Sequence, residues 1–233
     1  MFQIDERLKK LSERFIQSQP VCLNCFCDLT DGLSLIDLFR KEDNLCGVCR
    51  HLLIPLRKTV SVLDFEVYAF YRYESFFEKM IFQVKENKDV TLAPVFLHPY
   101  VSYLQKICEE KTIVLVPSSE KKTKSRGFEP LREFYKELGL EMVSPFEKDD
   151  IKQSLRSATQ RSKIKNHLRL AHLEMIIDKE IILLDDVCTT GYSLKACIDL
   201  LKPHSKSIKV VVLALNPGHL KGDSYRKSEY SCN

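Results

Sequence analysis

The sequence predicts an α/β domain built on a parallel sheet, preceded by a small module that contains paired cysteines. The apolar run 181–184 has the length and continuity of a strand that is buried on both faces of a parallel sheet. A second apolar run, 113–116, ends at Pro117 and predicts a neighbouring strand. Two pairs of cysteines lie before residue 50, outside this α/β pattern.

Length and composition agree with this fold class. The chain has 233 residues, 44% of them hydrophobic, which suffices for one α/β domain and a small module. It carries 36 basic and 32 acidic side chains. No apolar run approaches the roughly 18 residues that span a bilayer. Because Asp5, Glu6 and Glu13 make the first twenty residues unlike a secretory signal, we expect a cytoplasmic protein.

The elements are predicted in three regions. Residues 1–55 comprise an N-terminal helix and the cysteine module, 56–215 the α/β domain, and 216–233 a polar tail expected to fray. The helix over 1–19 either packs on the cysteine module or docks a partner. In the α/β domain the predicted elements are a strand at 60–73, helices at 75–86 and 91–110, a strand at 113–117, a helix at 127–138, and a right-handed strand–helix–strand unit at 180–186, 193–202 and 208–215.

Two adjacent carboxylates, Asp185 and Asp186, follow the apolar run 181–184 and precede a Thr-Thr-Gly sequence. Ligands of open α/β sheets bind at the carboxyl ends of the strands, and amides at a helix N-terminus favour a phosphate. A strand followed by a helix with Asp and Thr caps is the simpler alternative. The candidate binding residues are Asp185, Asp186, Val187, Cys188, Thr189, Thr190, Gly191 and Ser193.

This string resembles the motif with which type I phosphoribosyltransferases bind 5-phosphoribosyl 1-diphosphate (PRPP). The resemblance implies a parallel sheet with helices on both faces. It also implies that Asp185 and Asp186 accept hydrogen bonds from the two ribose hydroxyls, while the following loop holds the 5′-phosphate. A carboxylate only accepts hydrogen bonds, which suits a sugar diol. We expect Cys188 not to act as a nucleophile, since the motif needs none there.

The two Cys-x-x-Cys pairs predict a structural zinc site in a zinc-ribbon-like module. Their spacing lets four thiolates face one tetrahedral ion, and the predicted ligands are Cys22, Cys25, Cys46 and Cys49. Cys27 is close enough to replace Cys25. Buried thiols and disulfides are the alternatives, and a cytoplasmic location disfavours disulfides. Cys108 and Cys197 are expected to be small packing residues.

Two basic segments complete the candidate sites. The first is predicted to be a loop that follows the strand at 113–117 and offers cations and hydroxyls to a diphosphate, with Mg²⁺ as a possible companion. Its residues are Ser118, Ser119, Lys121, Lys122, Lys124 and Arg126. The second segment, 151–173, contains no acidic residue and suggests single-stranded DNA as a partner, a solvated loop being the alternative. Its cations are Lys152, Arg156, Arg161, Lys163, Lys165 and Arg169.

Together the cysteine pairs, the Pro-bearing strand, Arg126-Gly127-Phe128 and the string Asp185 to Gly191 resemble the ComF family of late competence proteins, over roughly residues 20–215. The resemblance implies a role in importing single-stranded DNA during natural transformation. It implies two partners at the inner face of the cell membrane, a helicase-like translocase and a DNA-processing protein.

This chain departs from the family pattern at Glu129-Pro130, where the family commonly has Asn-Gln, and at Ser118-Ser119. An added negative charge there weakens the expected anion site. Three functions therefore stay open: a DNA-uptake factor, an active phosphoribosyltransferase that joins ribose 5-phosphate to an amine or base, and a PRPP- or nucleotide-sensing regulator. The residues assign no catalytic group.

Overall fold

The computed structural model describes residues 21–33, 44–148 and 168–220. The chain divides into two compact units after Leu52, and each is described by itself. The helix predicted over 1–19 lies outside the described residues, as does the tail from residue 221. Within the described ranges, no helix is long and apolar enough to cross a membrane.

The first unit is organised around its cysteines. Its one described helix, α1, spans Gly47–Leu52 and begins inside the second cysteine pair. The first pair lies in a tight turn, in which the Phe26 N–H donates to the Cys22 carbonyl oxygen at 2.9 Å. Cys22, Leu45, Cys46 and Cys49 are its most buried side chains. Within the described part of this unit, three of these four side chains are cysteines, so thiols rather than large apolar groups occupy its centre.

The described part of the second unit contains a six-stranded sheet. Its strands are β1 (Pro55–Val62), β2 (Phe65–Arg72), β3 (Thr112–Leu115), β4 (Met142–Val143), β7 (Glu180–Cys188) and β8 (Ser207–Leu215). They lie in the order β1-β2-β8-β7-β3-β4. The pairs β2–β8, β8–β7, β7–β3 and β3–β4 are parallel, and in this sheet only the edge strand β1 is antiparallel. This parallel α/β sheet is the fold class that the sequence predicts.

Helices connect the parallel strands. They are α2 (Ser75–Lys85), α3 (Val101–Cys108), α4 (Glu120–Arg126), α5 (Pro130–Tyr135) and α6 (Tyr192–Leu201), with 3₁₀ segments at Val90–Phe96, His98–Tyr100, Lys136–Leu138, Leu173–Met175 and Pro217–His219. The central strands β7 and β8 are almost wholly buried over residues 181–184 and 210–215. Continuous apolar runs are what such two-faced burial requires. A separate pair, β5 (Phe146–Lys148) and β6 (Leu168–Leu170), is antiparallel.

The sequence-based prediction is wrong at four elements. The strand predicted at 60–73 is a hairpin, β1–β2, that turns at Leu63 with a positive φ of 55°. The helix predicted over 91–110 is interrupted, because Pro94 and Pro99 lack the N–H that a continuous helix needs. The helix predicted from Gly127 begins at Pro130. The basic segment predicted as a loop contains α4, which Gly127 ends at a φ of 84°.

Candidate functional site

The acid pair lies at the carboxyl end of the central strand β7. Asp185 pairs with Val212 of β8, and Cys188 pairs with Leu215, so the strand ends almost level with its neighbour. The Asp186 N–H donates to the Asp185 side chain at 2.9 Å. Both carboxylates are half-buried at this edge. This is the position at which open α/β sheets bind ligands.

A buried tyrosine supports the backbone beneath the acid pair. The hydroxyl of Tyr135, on α5, donates to the Asp185 carbonyl oxygen at 2.8 Å. Burial is the main reason that the pKa of Tyr135 lies well above its usual range, and the nearby negative charges of Asp185 and Asp186 raise it further. Tyr135 is therefore a permanent hydrogen-bond donor that holds the strand end in place.

A lysine neutralises the second acid. The ammonium of Lys85, at the end of α2, lies 2.5 Å from Asp186 Oδ2. Two adjacent carboxylates repel each other, and this cation offsets that repulsion. The pair brings α2 to the edge that carries the ligand motif.

The loop after the acid pair combines exposed hydroxyls with a buried glycine. Thr189, Thr190 and Ser193 are exposed, whereas Gly191 is buried. Gly191 has a φ of 82°, and a Cβ at this position would lie 2.6 Å from Val62 Cγ1 of β1. A residue with a side chain would thus be both strained and overpacked. Glycine is required here by geometry, and α6 begins directly after it.

Asn216 and His219, which follow β8, also form hydrogen bonds to the backbone of this loop. The Asn216 N–H donates to the Cys188 carbonyl oxygen at 2.9 Å. His219 Nε2 lies 2.7 Å from the Thr189 carbonyl oxygen and must carry the proton of this hydrogen bond. The backbone of 188–191 is therefore preorganised, while its hydroxyl groups face outward.

Cys188 behaves as a packing residue. Its side chain is buried, and burial, with a smaller contribution from Asp185, raises the pKa of its thiol to about 12. Only a thiolate is strongly nucleophilic, so we expect Cys188 to be unreactive near neutral pH. This agrees with the expectation that it performs no covalent chemistry.

The candidate diphosphate segment starts at the same edge. The Val116 N–H donates to the Leu184 carbonyl oxygen at 3.0 Å, so the chain leaves β3 beside the acid pair's strand. Ser118 and Ser119 are half-buried, and Lys121 and Lys122 are exposed on α4. Lys124 pairs with Glu120 at 3.1 Å.

Arg126, the last cation of this segment, is already engaged by a carboxylate. Its guanidinium lies 2.5 Å from Glu86, the residue after α2. The arginine also lowers the pKa of Glu86. Whether these residues contact a diphosphate stays a prediction.

The predicted DNA-binding cations fall mostly outside the described residues. Lys152, Arg156, Arg161, Lys163 and Lys165 belong to the segment 149–167, which is not described. Arg169 is described on β6, where its exposed guanidinium pairs with Glu147 of β5 at 2.5 Å. Because Glu147 partly compensates its charge, Arg169 would attract a phosphate less strongly than an isolated arginine does.

In the first unit, four sulfur atoms converge on one point. The Sγ atoms of Cys22, Cys25, Cys46 and Cys49 all lie within 4.8 Å of one another. Those of Cys25 and Cys46 are 3.6 Å apart. Tetrahedral zinc with bonds of about 2.3 Å places its sulfur ligands roughly 3.8 Å apart, so the cluster fits such an ion.

Polar and steric details support the same four ligands. The Asn24 side-chain amide donates to Cys49 Sγ at 3.2 Å. A Cβ on Gly47 would lie 1.9 Å from the Gly32 carbonyl oxygen, so only glycine fits at position 47, directly after Cys46. Cys27 lies outside the cluster, with its sulfur 3.8 Å from the Cys25 carbonyl oxygen. The cluster can hold a metal ion.

Sequence reasoning missed four residues that shape the acid-pair edge: Lys85, Tyr135, Val62 and His219. Lys85 is one of 36 basic residues and lies about 100 positions before its partner, so no local pattern marks it. In the sequence, Tyr135 and Val62 are recognisable only as apolar residues within the helix predicted at 127–138 and the strand predicted at 60–73. His219 lies in the predicted tail, where the short motif Asn216-Pro217-Gly218 was the one available signal of order.

A family comparison matches the part of the chain that contains the candidate site. The phosphoribosyl transferase domain model matches residues 123–233, a range that includes the acid pair, its loop, β7 and β8. Similarity to phosphoribosyl transferase domains thus covers the part of the second unit that holds the candidate site. The predicted type I phosphoribosyltransferase fold is thereby confirmed, with the four clustered cysteines compatible with an N-terminal zinc module.

Solved structures of this class are similar to the chain. Hypoxanthine phosphoribosyltransferase from Staphylococcus aureus matches in its orthorhombic form at 15% identity over 66% of this chain and 70% of that chain, with a TM-score of 0.33. Its tetragonal form matches at 16% identity over 66% and 71%, with a TM-score of 0.31.

A third structure, described as the allosteric regulatory enzyme of purine biosynthesis, matches at 11% identity over 59% of this chain, with a TM-score of 0.33. The match spans only 38% of that enzyme's length. Among curated proteins, none matches the sequence.

Proposed function

We propose that the phosphoribosyltransferase domain binds PRPP, or a ribose 5-phosphate group, at the carboxyl end of β7. One observation carries this proposal: the motif from Asp185 to Ser193 lies where the strand ends and α6 begins, with Gly191 buried and the hydroxyls exposed. Asp185 and Asp186 then accept hydrogen bonds from the ribose hydroxyls. Thr189, Thr190 and Ser193 surround the 5′-phosphate together with the amides of the helix N-terminus.

Magnesium fits this proposal as a companion of the diphosphate. Mg²⁺ is usually held by one or two carboxylates and by phosphates of the substrate. Asp185 is such a carboxylate, half-buried at the edge where the ligand would lie. When bound, the ion would neutralise negative charge on the diphosphate.

Calorimetry tests the proposal. Titration of PRPP with Mg²⁺ into the wild type should give saturable binding, and Asp185→Ala with Asp186→Ala should weaken it about tenfold or more, since a hydrogen bond to a charged group contributes about 1.5–3 kcal/mol. Glu180→Ala is the matched control, because it removes an exposed acid at the opposite end of the same strand. Equal affinity in all three proteins would reject the site.

The cysteine cluster is proposed to hold one structural Zn²⁺ through Cys22, Cys25, Cys46 and Cys49. Support comes from the convergence of their sulfurs within 4.8 Å and from the burial of Cys22, Cys46 and Cys49. Four thiolates are a common ligand set of structural zinc sites, whereas magnesium and calcium prefer oxygen ligands. The cluster therefore favours zinc.

The wider role that we propose is that of a ComF-like protein in uptake of single-stranded DNA. The resemblance over residues 20–215 supports it, as do six cations without an acid between Lys152 and Arg169. Contacts with phosphates release counterions, so log affinity should fall with log salt by about 0.7 per contact on single strands. With roughly three to five contacts the slope should be steep, and base preference should be slight.

A charge reversal tests this role. Changing Arg156, Arg161, Lys163 and Lys165 to Glu should abolish oligonucleotide binding and, in a transformable host, DNA uptake. Reversal of Lys202 and Lys206, which are exposed beside the end of α6, is the control. If the fourfold variant binds as well as the wild type, the DNA role is withdrawn. Diphosphate release from PRPP with an amine or base would then favour a transferase.

A further inference from the structure

Lys85 is unusually buried for a lysine at the end of a helix. Its ammonium lies 2.5 Å from Asp186 Oδ2, and the two side chains are only 21% and 16% exposed. Both charges have therefore lost most of their water. Removing one partner of such a pair leaves the other buried and uncompensated. The pair is thus a fixed feature of the acid-pair edge.

The pairing leaves Lys85 with capacity for a further contact. An ammonium has three N–H donors, and Asp186 Oδ2 takes one of them. A carboxylate accepts about four hydrogen bonds, so Asp186 can bind a hydroxyl and Lys85 together. Ligand binding at this acid does not require the lysine to leave.

The residues that follow Lys85 contact the candidate diphosphate segment. Glu86 pairs with Arg126 at 2.5 Å, and Lys88 Nζ donates to the Ser125 carbonyl oxygen at 3.1 Å. Within four residues, one short segment is therefore bonded to the acid pair and to the end of α4. Lys85 lies on the side of the acid pair that borders the basic segment.

The chemical structure of PRPP connects the acid pair with the basic segment. Its ribose hydroxyls are on C2 and C3, and its diphosphate is on C1, the neighbouring ring carbon. With the ribose hydroxyls on the acid pair, a cation that is held on Asp186 and borders the basic segment is within reach of the diphosphate. Charge-assisted hydrogen bonds between ammonium and phosphate are among the stronger polar contacts.

We propose that Lys85 is a ligand-binding residue that contacts the diphosphate of PRPP while it stays paired with Asp186. This inference rests on the proposed function, since it requires ribose hydroxyls on the acid pair. It gives the site a means of selecting PRPP over ribose 5-phosphate, which has the same ribose and 5′-phosphate but no diphosphate.

Calorimetry with both ligands tests this selection. Lys85→Met, which removes the charge and keeps the length, should lower PRPP affinity about tenfold or more, because a charge-assisted contact is lost. Its affinity for ribose 5-phosphate should change less than about threefold. Lys85→Arg should retain most of the PRPP affinity. Lys79→Met is the control, because it makes the same change at an exposed position of the same helix.

The outcomes separate the possible roles of Lys85. If Lys85→Met weakens both ligands equally, the lysine only positions Asp186 and the inference is wrong. Unchanged PRPP affinity also overturns it. A wild type that binds neither ligand rejects the proposed function and this inference together. Should Lys85→Met fail to fold, Lys85→Gln, which can still donate to Asp186, takes its place with the same expected loss of PRPP preference.

Discussion

The cysteines of the two units are arranged differently. In the first unit four sulfurs lie within 4.8 Å of one another, in a module whose described core is little more than those cysteines and Leu45. In the second unit Cys108, Cys188 and Cys197 are buried singly among apolar strands and helices. The sulfur cluster of the first unit can hold a metal ion, and we propose that such an ion stabilises this unit, whereas burial of the parallel sheet stabilises the second.

Metal removal should have the largest effect and should affect one unit alone. Chelation, or Cys46→Ser, should unfold the cysteine module, because metal binding supplies most of its folding free energy. Hydrogen exchange should show lost protection at residues 21–33 and kept protection in β7 and β8. Cys27→Ser is the control and should keep the metal. Less than about half an equivalent of zinc in a folded module would contradict the comparison.

Gly191→Ala should have the next largest effect, this time in the second unit. A positive φ of 82° and a Cβ only 2.6 Å from Val62 Cγ1 should together cost about 1–3 kcal/mol or more of unfolding free energy. Gly139→Ala provides the control, since its φ is 63° but nothing lies within 4 Å of its Cβ. Denaturation that shows equal losses for both variants would mean that packing against Val62 is unimportant.

Tyr135→Phe should have a smaller effect. It removes the hydroxyl that donates to the Asp185 carbonyl oxygen at 2.8 Å and should cost about 1 kcal/mol, the usual net value of such a bond. PRPP affinity should fall modestly, because the strand end beneath the acid pair is less well fixed. Urea denaturation measures the first effect and calorimetry the second. An unchanged midpoint would show that the bond is not formed in solution.

The smallest expected effect concerns Cys188, which should not react with a thiol reagent in the native protein. With its pKa raised to about 12, Cys188 is a protonated thiol well above neutral pH. A thiol reagent at about pH 8 should therefore leave Cys188 unmodified in the native protein and label it after denaturation. Peptide mass analysis distinguishes the two states. Rapid native labelling would show that this cysteine is not the packing residue that the comparison requires.

Sequence patterns predict those elements of the fold that depend only on residues adjacent in the chain. The strands at 113–116 and 181–184 were predictable, because a buried parallel strand must be continuously apolar. The hairpin at Leu63 was not, since Leu63 and Asp64 replace the glycine or asparagine that usually marks such a turn. Pro94 and Pro99 were visible signals against a continuous helix over 91–110.

The candidate site shows the same division. The acid pair and its loop are contiguous in sequence, so a motif identifies them together. Lys85, Tyr135 and His219 reach this edge only through packing of α2, α5 and the turn after β8. Their roles depend on contacts across about 30 to 100 positions, which periodicity and spacing do not encode.

The most direct test of PRPP binding at the acid pair is a crystal structure of the wild type with PRPP and Mg²⁺. We expect both ribose hydroxyls on Asp185 and Asp186, the 5′-phosphate among Thr189, Thr190 and Ser193, and the diphosphate on the Lys85 side of the acid pair. A ligand bound elsewhere on the domain, or an acid pair without hydroxyl contacts at saturating PRPP, would contradict this expectation.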